Sequence, residues 1–73
     1  MLGYSGYTEH SDYYIAPHDT WESAFEFLKQ LACESGDDEF CIGEFHEESN
    51  IVIFKNIKWY EWNEDKGEWE HER

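Results

Sequence analysis

The sequence predicts an α+β domain, with one amphipathic helix on an antiparallel sheet of three or four strands, in the order β-α-β-β-β. Three observations lead there. Apolar residues recur at helical spacing between residues 20 and 35. From residue 39 the pattern becomes strand-like and is punctuated by two turn signals. The chain is 19% aromatic, which supplies a core despite heavy charge.

Residues 1–11 are rich in Tyr, Gly and Ser, with Gly3 and Gly6 as breakers, and read as a loose lead-in. Residues 12–16, Asp-Tyr-Tyr-Ile-Ala, carry strand-prone side chains and stop at Pro17, so a short strand is expected there. Asp19 followed by Glu22 makes a capping-box pattern that opens a helix over 20–35. Trp21, Ala24, Phe25, Leu28, Leu31 and Ala32 form its apolar stripe, and Gly36 suits the position just past its end. The opposite face carries Glu22, Glu26, Gln30 and Glu34. Glu34 lies near the negative pole of the helix dipole, where an acid costs a few tenths of a kcal/mol.

Beyond Asp37-Asp38, Phe40 and Ile42 face the helix, and Phe45 joins them if Gly43 makes a bulge. Glu47-Glu48-Ser49-Asn50 reads as a turn. Residues 51–62 form one long strand or a strand broken near Asn56. Either parity of that segment presents large side chains, so the core contribution is Ile51 or Val52, Ile53 or Phe54, and Ile57. Asp65-Lys66-Gly67 suits a hairpin turn, and Glu68–Glu72 a final strand. No repeat or linker divides the 73 residues, so a single domain over 1–73 is expected.

The charge is the informative feature. Eighteen Asp and Glu face 5 Lys and Arg, a formal net charge of -13. Such a charge normally accompanies disorder. The aromatics oppose that, since each buried ring removes ~150–250 Å² from water, at ~25 cal/mol per Å². A folded domain with an acidic, self-repelling surface results. Direct binding to nucleic acid is not expected, because the excess negative charge repels phosphates. The longest apolar run, Ile51–Phe54, is far too short to span a membrane, and no secretory signal is visible, so a cytoplasmic setting is expected (the host's, if phage-encoded). Cys33 and Cys41 lack CxxC spacing and read as free thiols, with a bond between them left open.

Catalytic signatures are missing: there is no phosphate loop, no GxSxG and no HExxH. The four histidines and two cysteines show no close ligand spacing, and Asn63–Glu68 fails the calcium-loop pattern, so neither a metal nor a cofactor is expected. Solubility alone accounts for a net charge of magnitude about 2–8 in a small domain. The larger value points to a basic partner, since complementary potentials speed encounter and select the partner.

Spacing sharpens this expectation. Glu68, Glu70 and Glu72 alternate along a strand, which sets them ~6.8 Å apart on one face. Glu22 and Glu26 share a helix face at ~6 Å. Successive phosphates of a nucleic-acid strand lie a similar distance apart, on the order of 6–7 Å along the backbone path. Glu34, Asp37, Asp38, Glu61, Glu64 and Asp65 extend the acidic surface, and Tyr60, Trp62 and Trp69 offer rings for stacking on guanidinium groups.

In size and composition alone, the chain resembles the small acidic inhibitors made by phages and mobile elements. That resemblance implies a non-enzymatic, nucleic-acid-mimicking inhibitor of a basic nucleic-acid-binding protein or nuclease, such as an anti-CRISPR or anti-restriction factor. Immunity proteins for nuclease toxins look alike at this level, and an acidic adaptor domain without mimicry is a third reading.

Overall fold

The helical stripe forms α1 (Trp21–Ser35), which buries Ala24, Leu28 and Ala32 completely. Its cap is Thr20 rather than Asp19: the Thr20 hydroxyl accepts from the Ser23 backbone N–H at 3.1 Å. The Ser23 hydroxyl in turn bonds the His18 ring at 2.7 Å. Gly36 closes the helix at φ 72° in the left-handed region.

The computed structural model describes residues 1–72, and α1 lies on one antiparallel four-stranded sheet. Its strands are β1 (Gly3–Thr8), β2 (Glu39–Glu48), β3 (Ile51–Asn63) and β4 (Glu68–His71), side by side in chain order. This is the expected β-α-β-β-β order with four strands. The fully buried core is small: Ala24, Leu28 and Ala32 of α1 against Phe40 and Ile42 of β2. Tyr4, Ile15, Trp21, Phe25, Tyr60 and Trp69 close around it.

The N-terminal segment departs from the expectation. Residues 3–8 are an edge strand and not a loose lead-in. Gly6 acts there as a close-approach residue: a Cβ would lie 2.9 Å from the Cys41 carbonyl carbon and 3.0 Å from Leu28 Cδ1. Residues 12–16, expected as a strand, form none. The segment instead lines the free edge of β1. Ile15 N–H donates to the Gly6 carbonyl at 2.9 Å, and Tyr4 and His18 exchange two backbone bonds at 2.7 and 2.8 Å. Pro17, opposite Ser5, sits where the backbone N–H of an antiparallel pair would point away from β1, so its missing donor costs no bond there. The edge is covered, which protects it from pairing with another chain.

The two hairpins follow the turn chemistry of the sequence. Ser49 and Asn50 both take positive φ, 52° and 67°, as a two-residue type I′ connection requires. At the other end, Gly67 N–H donates to the Asn63 carbonyl at 2.8 Å, and Asn63 Oδ1 accepts from Lys66 N–H at 3.1 Å. Asn63–Glu68 is thus a hairpin turn.

A bulge settles the inward parity of β3. Ile42 pairs with Lys58 but Glu44 pairs with Lys55, so the extra residue sits in β3, where Asn56 has φ 55°. The parity therefore switches along the strand. Before the bulge Phe54 points away from the helix; after it Tyr60 points towards it, against Phe25 and Phe40. Because β2 itself is regular across Gly43, Phe45 points away from the helix and packs on Phe54. Ile51, Val52 and Ile57 stay exposed and do not meet the helix stripe. Beyond Phe45 the sheet has run out of β1, so β2 and β3 project as a two-stranded arm.

Candidate functional site

The sheet has two unlike faces. The helix covers one. The other carries an aromatic cluster in its middle and a carboxylate cluster at the end away from the β2–β3 arm.

Tyr7 and Tyr14 stack with their rings 5.1 Å apart, nearly parallel. Tyr14 reaches this face from the 9–20 connection and also meets Phe45 and Phe54 at 5.1 and 4.8 Å. Trp59 packs edge-on against Tyr7 at 5.7 Å. These rings cover the face where a three-layer fold would put its third layer. Beneath them Cys41 is buried, which pushes its thiol pKa up. Cys33 lies exposed on the helix, and the two thiols are free.

Trp59 borders the carboxylates. Its carbonyl accepts the Glu72 N–H at 2.8 Å, which holds the chain beyond β4 against β3. Glu39 pairs with Glu61 across β2 and β3, and Glu61 with Glu70 across β3 and β4. Like charges directly opposite one another on a sheet are destabilising. One carboxylate oxygen from each of Glu39, Glu61 and Glu72 lies within 4.8 Å of the others. Glu72 is pushed above the ordinary carboxylate range, first by loss of water and then by its bond to Glu39 and repulsion from Glu39 and Glu61. Glu70 is held below that range by Lys66, whose ammonium lies 2.8 Å away.

The expected site residues fall into three groups. Glu61, Glu68, Glu70 and Glu72 share the uncovered sheet face by strand parity. Glu64 and Asp65 are exposed in the adjoining turn, and Asp38 is exposed at the start of β2. Glu22, Glu26 and Glu34 form a separate exposed row on the helix, where Lys29 pairs with Glu26 at 3.0 Å and Gln30 donates to Glu34 at 3.2 Å.

Four of the expected residues lie away from this surface. Asp37 is buried and bonded to the His10 ring at 2.5 Å. That bond raises the His10 pKa and lowers that of Asp37. Tyr60, Trp62 and Trp69 lie on the helix side of the sheet, opposite the carboxylates, because successive side chains of a strand alternate faces and each ring adjoins Glu61, Glu68 or Glu70 in sequence. Tyr60 and Trp69 pack on the core, and Trp62 meets Trp69 edge-on at 5.5 Å.

The residues that do join the expected acids are Glu39 and Trp59. Trp59 was within reach of sequence reasoning, since it shares parity with Glu61 two residues on. Glu39 was not, because only the pairing of β2 with β3 brings it there. No helix among the described residues is long and apolar enough to cross a membrane. Comparison with protein families, curated proteins and solved structures finds no match to this chain.

Proposed function

We propose that this protein is a non-enzymatic inhibitor whose uncovered sheet face occupies the basic, nucleic-acid-binding site of a partner protein, in the manner of a phage or mobile-element anti-defence factor. The observation that supports the reading most is the convergence of Glu39, Glu61 and Glu72 within 4.8 Å. Three carboxylates held that close work against folding, and Glu72 registers the cost in its raised pKa. A basic partner relieves it. Arginine guanidinium groups bind carboxylates two bonds at a time and stack on aromatic rings, and Trp59 provides a ring at the border of the cluster.

Spacing and charge supply the mimicry. Residues on this face recur every ~6.8 Å along each strand. Neighbouring strands lie ~4.8 Å apart, so the carboxylates form a two-dimensional array comparable to a phosphate backbone. A net charge of -13 steers the encounter with a cationic groove.

Affinity capture from host lysate, at ~50 mM and ~500 mM salt to span weak and strong screening, tests the reading. The expected result is a nucleic-acid-binding protein that is captured at low salt, released at high salt and displaced by DNA or RNA. The variant Glu39→Lys/Glu61→Lys/Glu72→Lys loses that protein, whereas Glu22→Lys/Glu26→Lys/Glu34→Lys retains it. A partner that nucleic acid does not displace, or one that the sheet-face variant still holds, overturns the proposal.

A further inference from the structure

We propose that Glu9, His10 and Asp37 form a binding site for one divalent transition-metal ion of the zinc class. The three side chains each offer one donor atom, and the three atoms lie within 4.8 Å of one another. They comprise one imidazole nitrogen and two carboxylate oxygens, a donor set suited to Zn²⁺ with its fourth position left to water. The site adjoins the carboxylate cluster of the uncovered sheet face through the Glu9–Glu39 backbone bond but shares no ligand with it.

Asp37 carries the inference. Its side chain is only 2% exposed, and Oδ2 is buried with no hydrogen-bond partner among the described residues. A buried carboxylate oxygen left unpartnered is costly. The position compounds the cost, because Asp37 stands two residues past the end of α1, at the negative pole of the helix dipole. The last turn of α1 holds no basic residue. His10, whose ring bonds Asp37 Oδ1, is 75% exposed and brings at most a single positive charge, and the Thr8 hydroxyl that also bonds Asp37 brings none. A dication supplies the missing positive charge, with the carboxylate as one of its ligands.

The geometry is close to what an ion needs. Donors bound at ~2.1 Å in a tetrahedral site stand ~3.4 Å apart. His10 Nδ1 is 2.5 Å from Asp37 Oδ1 and 3.8 Å from Glu9 Oε1. The second must narrow and the first widen, each by less than 1 Å, and the Glu9 and Asp37 donors, within 4.8 Å of each other, must close by at most about 1.4 Å. The two adjustable side chains, Glu9 and His10, are the exposed ones. The backbone that carries the donors is already fixed: Glu9 N–H donates to the Glu39 carbonyl at 3.0 Å, and Asp37 N–H to the Ala32 carbonyl at 2.9 Å. A cavity of about 340 Å³ adjoins His10 and Asp37, bordered also by Thr8, Ser11 and Ser35. Water takes ~30 Å³ per molecule, so there is room for an ion and its remaining water.

Titration of the metal-stripped protein with ZnCl₂ by calorimetry tests this, with Co²⁺ absorption as a second probe. The expected result is one equivalent bound, a rise in melting temperature, and a Co²⁺ spectrum typical of four-coordination. His10→Ala is the main variant, because the ring is exposed and its loss leaves the core intact by far-UV circular dichroism. It is expected to weaken the single site about tenfold or more, as is Glu9→Gln. The double variant Glu39→Gln/Glu61→Gln, which alters the other acidic cluster, leaves the site unchanged. No binding, several equivalents bound weakly, or unaltered affinity in His10→Ala overturns the proposal and leaves His10 and Asp37 as a hydrogen-bonded clasp only.

Discussion

Replacing Gly6 by alanine tests the packing that brings β1 under the helix. The new Cβ would stand 2.9 Å from the Cys41 carbonyl carbon and 3.0 Å from Leu28 Cδ1, with the Cys41 carbonyl oxygen nearer still. Carbon atoms in contact normally lie ~3.5–4.0 Å apart, so both neighbours must yield by roughly 0.5–1 Å. Neither yields readily. Cys41 belongs to β2, which is held between β1 and β3, and Leu28 is completely buried. Overpacking of this kind costs ~1–3 kcal/mol, and tilting β1 away sacrifices one or two ladder bonds at ~1 kcal/mol each. Restricting the unfolded chain returns ~0.4–1 kcal/mol. The net loss is about 2–4 kcal/mol.

Gly36→Ala is the internal control. A Cβ there meets open space, and the cost is the φ of 72° alone. Left-handed strain of ~1–2 kcal/mol, less the same unfolded-state gain, comes to about 1 kcal/mol. Urea unfolding followed by the fluorescence of the four tryptophans measures both. Gly6→Ala is expected to shift the midpoint at least twice as far as Gly36→Ala. Equal or smaller loss at Gly6 would refute the close approach of β1, β2 and α1.

Two further outcomes follow from the same structure. Glu72 has its pKa raised in the fold, so it favours folding while protonated, and that contribution disappears as pH rises from the ordinary carboxylate value of ~4.3 through the raised one. Glu72→Gln is therefore expected to melt higher than the parent at pH 7 and at the same temperature near pH 4; a lower melting point at pH 7 would mean that the carboxylate makes a stabilising contact. Leu28→Ala removes the one large aliphatic side chain that α1 buries completely. It is expected to cost ~3 kcal/mol, or roughly 12–24 °C in Tm, read by differential scanning calorimetry.

The sequence by itself determined the helix, the three strands after it and their order, whereas the first strand, expected at 12–16, lies at Gly3–Thr8. The 3.6-residue stripe, Gly36 at the helix end and the turn residues at 49–50 and 65–67 are local signals, and local chemistry decides them. It also determined the charge, which is a sum over side chains and does not depend on the fold. Tertiary structure alone decided which faces those elements present. A single extra residue at Asn56 reverses the parity of β3, sending Phe54 to one face and Tyr60 to the other, and no composition signal marks that reversal. Likewise Gly6 reads as a breaker until β2 and Leu28 are seen to press against it. The site obeys the same division. Glu68, Glu70 and Glu72 were legible as acids on one strand face, but Glu61, Glu39 and Trp59 join them only through strand pairing. Asp37 reads as one more surface acid in a charged chain. Only the approach of His10, from a segment 27 residues earlier, makes it a buried one.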